Sequence, residues 1–271
     1  MSAETIIHWD AHTGLDVTIL VVLVLLVRRP FARAFGARAA YALWSLPVIR
    51  AVLPDIFLTL NLPAWVPFLA QPTPTQEVSM LPVSITPVEA APVAPPMDWQ
   101  LPVLLVWLGV AAVWLAGHIR RQRAYTTDLR RNSAQLDGTL MEKAKTAAHA
   151  LDLRRAPDVL QSKENIGPLV TGLVRPVVVL PNNFETGYDA QQQHLALLHE
   201  LSHIKRRDLW AAGAMLAFRA LNWPNPLVHF SARRFRADQE AACDAYVLSR
   251  VGGGTSAIKS YAETLIRSAK L

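Results

Sequence analysis

The chain has 271 residues, of which 52% are hydrophobic and only 18% charged, with a formal net charge of +6. A mean hydropathy of +0.21 lies above the soluble norm and leans towards a bilayer. The basic residues border apolar stretches and accompany no recognition module, which argues against direct nucleic-acid binding. Cys243 is the only cysteine, which excludes an internal disulfide and reads as a small apolar filler.

Three membrane spans are expected in the N-terminal part, residues 1–119. The first runs over about 6–27; no Lys or Arg precedes it and Arg28-Arg29-Pro30 follows, the reverse of a cleaved signal peptide. The second covers about 39–62 and carries Arg50 and Asp55, read as paired or interfacial charges. Pro63–Pro96 has no helical or strand period, so 63–98 is read as an outer, extended Pro-rich linker. The third span, 99–119, has no Asp, Glu, Lys or Arg and places Trp99 and Trp114 towards its ends. Arg28, Arg29, Arg33 and Arg38, and then Arg120, Arg121, Arg123, Arg130 and Arg131, set the orientation. The N-terminus faces out, and residues 120–271 form a domain on the cytoplasmic face of a bacterial-type inner membrane.

Within that domain 126–153 is polar and helical, a helix or helix pair leaving the membrane. Residues 169–180 carry two β-branched runs around Gly172 and Arg175-Pro176, predicting two short strands. Pro176 confines its strand to an edge, or sits at a strand start. Asp189 and Gln192 have capping-box spacing and open a helix with His194, His199, Glu200 and His203. His194 is read as a surface residue. Asp208 is read as the cap of an apolar helix over 209–223, too short to span and therefore buried or apposed to the membrane. Asn225 and Pro226 start a helix that Gly252-Gly253-Gly254 ends. A last helix from about Thr255 has no stop signal, predicting that the natural chain continues. The fold class is α+β, mainly helical, with a small β-sheet.

His199-Glu200-Leu201-Ser202-His203 is H-E-x-x-H. Residues four apart share a helical face, so both imidazoles reach one ion, and the Glu between them reaches a water on that ion. Zinc in a catalytic site takes a third protein ligand and keeps one position open. Glu240 lies on the next helix after a break, with Asp244 one turn on, an arrangement that supplies a ligand and a hydrogen-bond acceptor for a ligand imidazole. Spacing leaves open which histidine Asp244 serves. Val177, Val178, Val179 and Leu180, read as an exposed edge, are expected to pair with an extended substrate backbone.

Four stretches resemble the BlaR/MecR-type membrane metallopeptidases, the β-lactam-sensing antirepressors and their relatives. They are Pro168 to Pro181, His199-Glu200-Leu201-Ser202-His203-Ile204-Lys205-Arg206-Arg207-Asp208, Asn225-Pro226, and Glu240-Ala241-Ala242-Cys243-Asp244-Ala245. The resemblance implies a gluzincin-type zinc peptidase with His199, His203 and Glu240 as Zn2+ ligands and Glu200 as general base, and it points to His199 as the partner of Asp244. It also implies a protein substrate, a cytoplasmic repressor or the receptor itself, and is compatible with a homo-oligomer. In sensor members a further span and an extracellular penicillin-binding domain follow; these 271 residues contain no counterpart, and the resemblance does not extend to β-lactam sensing. Two other functions compete with a signalling endopeptidase. One is a heat-shock-type quality-control membrane protease, against which the 172–181 stretch and the three early spans weigh. The other is a non-catalytic transducer, which has no use for Glu200.

Overall fold

The structure is a computed structural model that describes residues 3–52, 99–136, 138–164, 166–252 and 254–269. The first apolar stretch lies within one helix, α1 (Ala3–Phe35), which runs on through Pro30. The chain then makes two short helices, α2 (Ala37–Ala42) and α3 (Ser45–Val52). The expected second span is therefore not one continuous helix over its described part. It breaks at Leu43-Trp44, where Trp44 turns into the core and its indole N–H donates to Asp238 at 2.8 Å. Arg50 pairs with Asp16 at 2.7 Å. The remainder of that span, Asp55 and the Pro-rich linker lie outside the described residues.

The third apolar stretch opens α4 (Gln100–Arg131), which continues past the basic cluster. Among the described residues it is the one helix long and apolar enough to cross a membrane. The stretch 126–153, read as a helix or helix pair, is the end of α4 and α5 (Gly138–Ala150), with the unexpected β1 (Ser133–Gln135) between them, and β2 (Asp158–Ser162) follows. The two expected strands are β3 (Leu169–Thr171) and β4 (Val177–Leu180). Gly172, at φ +93, makes their turn; a Cβ there would meet the Arg175 carbonyl oxygen at 2.5 Å, so only glycine fits.

The sheet order is β1-β2-β4-β3, with β4 parallel to β2 and antiparallel to β3. This corrects the reading of Val177–Leu180 as an exposed edge. Both sides of β4 are already paired, and all four side chains are buried. Val178 and Leu180 face the main core of α5, α7 and α10, while Val177 and Val179 pack with Leu129 of α4 on the other face. Pro176 stands just before the strand, where its missing N–H interrupts no ladder.

After the single turn α6 (Phe184–Gly187) come the two helices that matter most, α7 (Ala190–Lys205) and α9 (Pro226–Val251), joined through α8 (Asp208–Leu221). Asp189 and Gln192 close the capping box on α7. Asn225 caps α9, Pro226 follows it, and Gly252 ends the helix at φ +89. The last helix is α10 (Thr255–Ala269). A second apolar cluster joins Val17, Val21 and Val24 of α1 and Trp44 to Met215 and Phe218 of α8 and Val228 and Phe235 of α9. Packing therefore crosses the boundary at 119/120, tying the helix of Glu240 directly to the first apolar stretch.

Candidate metal centre

The capping box fixes the start of α7, and three helical turns on, His199 and His203 emerge on one face. Their side chains meet Glu240 of α9. The Glu240 Oε2 atom stands 3.6 Å from Nε2 of His199 and 3.6 Å from Nε2 of His203. Donors at about 2.0–2.1 Å from one tetrahedral zinc are roughly 3.3 Å apart, so each Glu240–imidazole separation already stands close to that between two ligands of one ion. Glu200 is buried beside them, on the same helix.

Each imidazole is oriented from behind. His203 Nδ1–H donates to Asp208 Oδ2 at 2.9 Å, leaving Nε2 as the free ring nitrogen. Asp208 is thus not a helix cap. Arg207 occupies the cap position in a left-handed conformation, and that turn swings the buried Asp208 back onto α7. Arg206 lies 3.4 Å from the other Asp208 oxygen, while Gln239 donates to the Asp208 carbonyl oxygen at 3.0 Å and to Tyr41 at 3.0 Å. For His199 the contact runs through a residue the motif does not contain. Its Nδ1 is 2.7 Å from the hydroxyl of Tyr261 on α10, and that hydroxyl donates to Asp244 Oδ1 at 2.8 Å. Asp244 itself stands 3.5 Å from His199 Nδ1. A Tyr oxygen that gives its own proton to Asp244 must accept one from Nδ1, so the pair again leaves Nε2 free. Asp244 therefore serves His199, chiefly through Tyr261.

Cys243 is fully buried, and its Sγ lies with the nitrogens of His199 and His203 in a group whose members are all within 4.8 Å of one another. Its thiol donates to the His199 carbonyl oxygen at 3.6 Å. The thiol is thus a neighbour of the candidate metal ligands as well as a core filler. His194 is exposed, away from this cluster.

The electrostatics describe a cation site. Burial depresses the His199 imidazole, but hydrogen bonds to Cys243 and Glu240 and the charge of Glu200 outweigh it, holding His199 up at about 11. His203 behaves alike: burial is overcome by Asp208, Cys243 and Glu200, and it rises to about 10. Burial raises the Glu200 carboxyl against the lowering effect of both imidazoles. Burial also opposes ionisation of Glu240, yet the hydrogen bond from His199 and the charges of His203 and Arg206 bring it below its usual range. The anionic donors that raise both imidazoles converge on one point, and a divalent cation answers the same demand. Two imidazoles and a carboxylate are a borderline-soft donor set of the kind that zinc takes.

Residues 11–271 match the family described as BlaR1 peptidase M56. The chain belongs to the BlaR1 peptidase M56 family. It is 30% identical over 148 residues to the methicillin resistance mecR1 protein of Staphylococcus aureus, covering 54% of this chain and 25% of that protein. It is 32% identical over 81 residues to the regulatory protein BlaR1 of Bacillus licheniformis, 30% of this chain and 13% of that one. Against the regulatory protein BlaR1 of Staphylococcus aureus the identity is 21% over 164 residues, 60% of this chain and 28% of the relative. The matched part thus spans about a quarter or less of the length of these relatives. The resemblance drawn from the motifs is to the family that most of the chain matches, and every residue of the cluster lies inside the matched range. Within this M56 chain Tyr261 and Asp208 are the residues that sequence reasoning missed. The Asp208 signal was present in the run from His199 to Asp208, but only the turn at Arg207 shows that it folds back.

Proposed function

We propose that this chain is a multi-pass membrane zinc endopeptidase that cleaves a cytoplasmic or membrane-proximal protein in signal transduction. The observation that carries the reading is the approach of Glu240 Oε2 to Nε2 of both His199 and His203, with Glu200 buried next to them on α7. Membership of a peptidase family supports the reaction, and similarity to proteins named as regulatory supports the signalling role. His199, His203 and Glu240 would hold the metal, Asp208 and the Tyr261–Asp244 pair would orient the imidazoles, and Glu200 would act as the base. Zinc, when bound, supplies a Lewis acid that acidifies water and polarises a peptide carbonyl. Glu200 takes the proton of the attacking water and passes it to the departing amine nitrogen. The burial that raises its pKa makes it a competent carrier in both directions.

A repressor and the chain itself are the substrates that fit such a role. The free edge beside α7 belongs to β3, not β4, so backbone pairing of substrate falls to Leu169–Thr171. The test compares detergent-purified wild type and Glu200→Gln for zinc content and for cleavage of a denatured protein substrate. Retained zinc with cleavage lowered by at least about 100-fold is expected for loss of a general base. Wild-type cleavage by a zinc-loaded Glu200→Gln protein overturns the assignment.

A further inference from the structure

The sequence reads α8 as too short to span, and so as buried or apposed to the membrane. The structure carries the matter further, because α8 and the first half of α9 are bonded to the middle of α1 and α4. Asn225, in the break between α8 and α9, donates to Thr18 Oγ1 at 2.7 Å. Thr18 precedes Arg28 by ten residues, about 15 Å along α1. The indole N–H of Trp107 donates to the Leu221 carbonyl oxygen at 3.0 Å, and Trp107 precedes Arg120 by thirteen residues, about 20 Å along α4. Both rulers put the α8–α9 corner near the middle of a hydrocarbon layer about 30 Å thick. A third rung agrees. Asp238 of α9 receives Arg28 at 2.6 Å, so α9 returns to the basic boundary as α1 does, two residues before Glu240.

We propose that the α8–α9 corner is a re-entrant membrane hairpin whose tip is covered by lipid acyl chains. Its surface has the matching chemistry. Between Asp208 and Arg233 every exposed residue is Trp, Ala, Leu, Pro or Phe, including Trp210, Leu221, Leu227 and Phe230. Charges become exposed again only at Arg207 on one side and at Arg233 and Arg236 on the other, the last two within five residues, about 7.5 Å along α9, of the Asp238 that meets Arg28. The same lipid-facing character continues onto α4, where Leu105, Val106 and Val113 are exposed.

A chain that turns within hydrocarbon must satisfy its backbone from inside the protein. The corner does so. The Asn222 N–H bonds the Phe218 carbonyl oxygen, the Asn225 N–H bonds that of Asn222, and Asn225 Oδ1 accepts the Leu227 N–H. His229 Nε2 donates to the Trp223 carbonyl oxygen at 2.9 Å. The basic side chains at this depth are held within the protein: Arg219 is drawn inward over the Trp114 ring at 5.2 Å, beside His229, and Arg50 pairs with Asp16 at 2.7 Å. The indole N–H of Trp223 and Nε of Arg219 are the donors of this knot without an acceptor among the described residues.

The inference rests on the orientation of α1 and α4, not on peptidase activity. It is tested with the full chain in lipid nanodiscs, carrying a nitroxide on Leu227→Cys or Phe230→Cys. Cys243 is buried, and the unmodified chain serves as blank. The ratio of collisions with oxygen to collisions with a nickel chelate is expected to equal that of a label on Val113→Cys. It should exceed that of Arg236→Cys several-fold. Labels at Leu227 and Phe230 as open to nickel as the label at Arg236 would overturn the proposal. Should a labelled variant fail to elute as the unmodified protein does, the unmodified protein is photolabelled with a lipid bearing a diazirine in its acyl chain. Adducts within 210–230 support the hairpin, and adducts confined to α1 and α4 refute it.

Discussion

Removing one oxygen from Tyr261 isolates the least expected part of the centre. Tyr261→Phe deletes a hydroxyl from a side chain only 2% exposed, taking away the acceptor of His199 Nδ1 and the donor to Asp244 while leaving the ring packed in the main core. A hydrogen bond to a charged group contributes about 1.5–3 kcal/mol, and loss of an outer partner of a metal ligand costs about 10–100-fold in affinity, or roughly 1.4–2.7 kcal/mol. The two scales agree. Direct contact between His199 and Asp244, now 3.5 Å apart, recovers a share of this, so a fall of about tenfold in zinc affinity is the expected result. The assay is competition with a chromophoric chelator, run in the Glu200→Gln background so that no self-cleavage intervenes. Circular dichroism should be unchanged. Because the hydroxyl passes the hydrogen bond to Asp244, Tyr261→Phe combined with Asp244→Asn should lose much less than the sum of the single losses. Unaltered zinc affinity in a folded Tyr261→Phe protein, or strict additivity in the double variant, would refute the relay.

Asp208→Asn should weaken zinc binding by about 10–100-fold, since it removes the carboxylate behind His203, and wild-type affinity would reduce Asp208 to a helix-start residue. Val178→Pro should abolish folding rather than slow cleavage selectively, because β4 is hydrogen-bonded on both sides; a folded, zinc-loaded variant would contradict the strand order. Metal uptake should also release protons. The folded-state values of about 11 for His199 and about 10 for His203 lie above the unfolded value, so their charged forms stabilise the metal-free fold below about pH 6.5. That stabilisation is lost as pH rises through 10 to 11, and at pH 7 zinc must displace both protons. Calorimetry in buffers of different ionisation enthalpy should give about two protons per zinc, and a release near zero would contradict the electrostatic picture.

What was legible in the sequence was local. H-E-x-x-H, the capping box at Asp189, the Asn225-Pro226 start and the glycine stop each depend on residues within one or two turns, and each appears where its spacing put it. β1 and β2 escaped because Ser-Ala-Gln and Asp-Val-Leu-Gln-Ser lack the β-branched alternation that marks a strand; β2 exists through pairing with β4, and β1 through pairing with β2. The position of β4 was misread because a proline beside a strand signals an edge only when it stands inside the ladder. Tyr261 was invisible for a different reason. It lies 62 residues from His199 and 17 from Asp244, and only the docking of α10 on α7 joins them. Residues 1–119 were read as a separate membrane part, yet Trp44, Arg28 and Asp238 lock α1 and the turn after α2 to the helix that carries Glu240.

The central claim is the ligand set, and Cys243 is its natural rival, one turn along α9 from Glu240 with its sulfur beside both imidazoles. Zinc K-edge X-ray absorption on the zinc-loaded Glu200→Gln protein decides between them, because Zn–S bonds of about 2.3 Å separate cleanly from Zn–N and Zn–O bonds of about 2.0–2.2 Å. A first shell of nitrogen and oxygen alone, with the multiple scattering of two imidazoles, unchanged in Cys243→Ala and disrupted in Glu240→Ala, is the predicted result. A sulfur shell at about 2.3 Å that disappears in Cys243→Ala would contradict it.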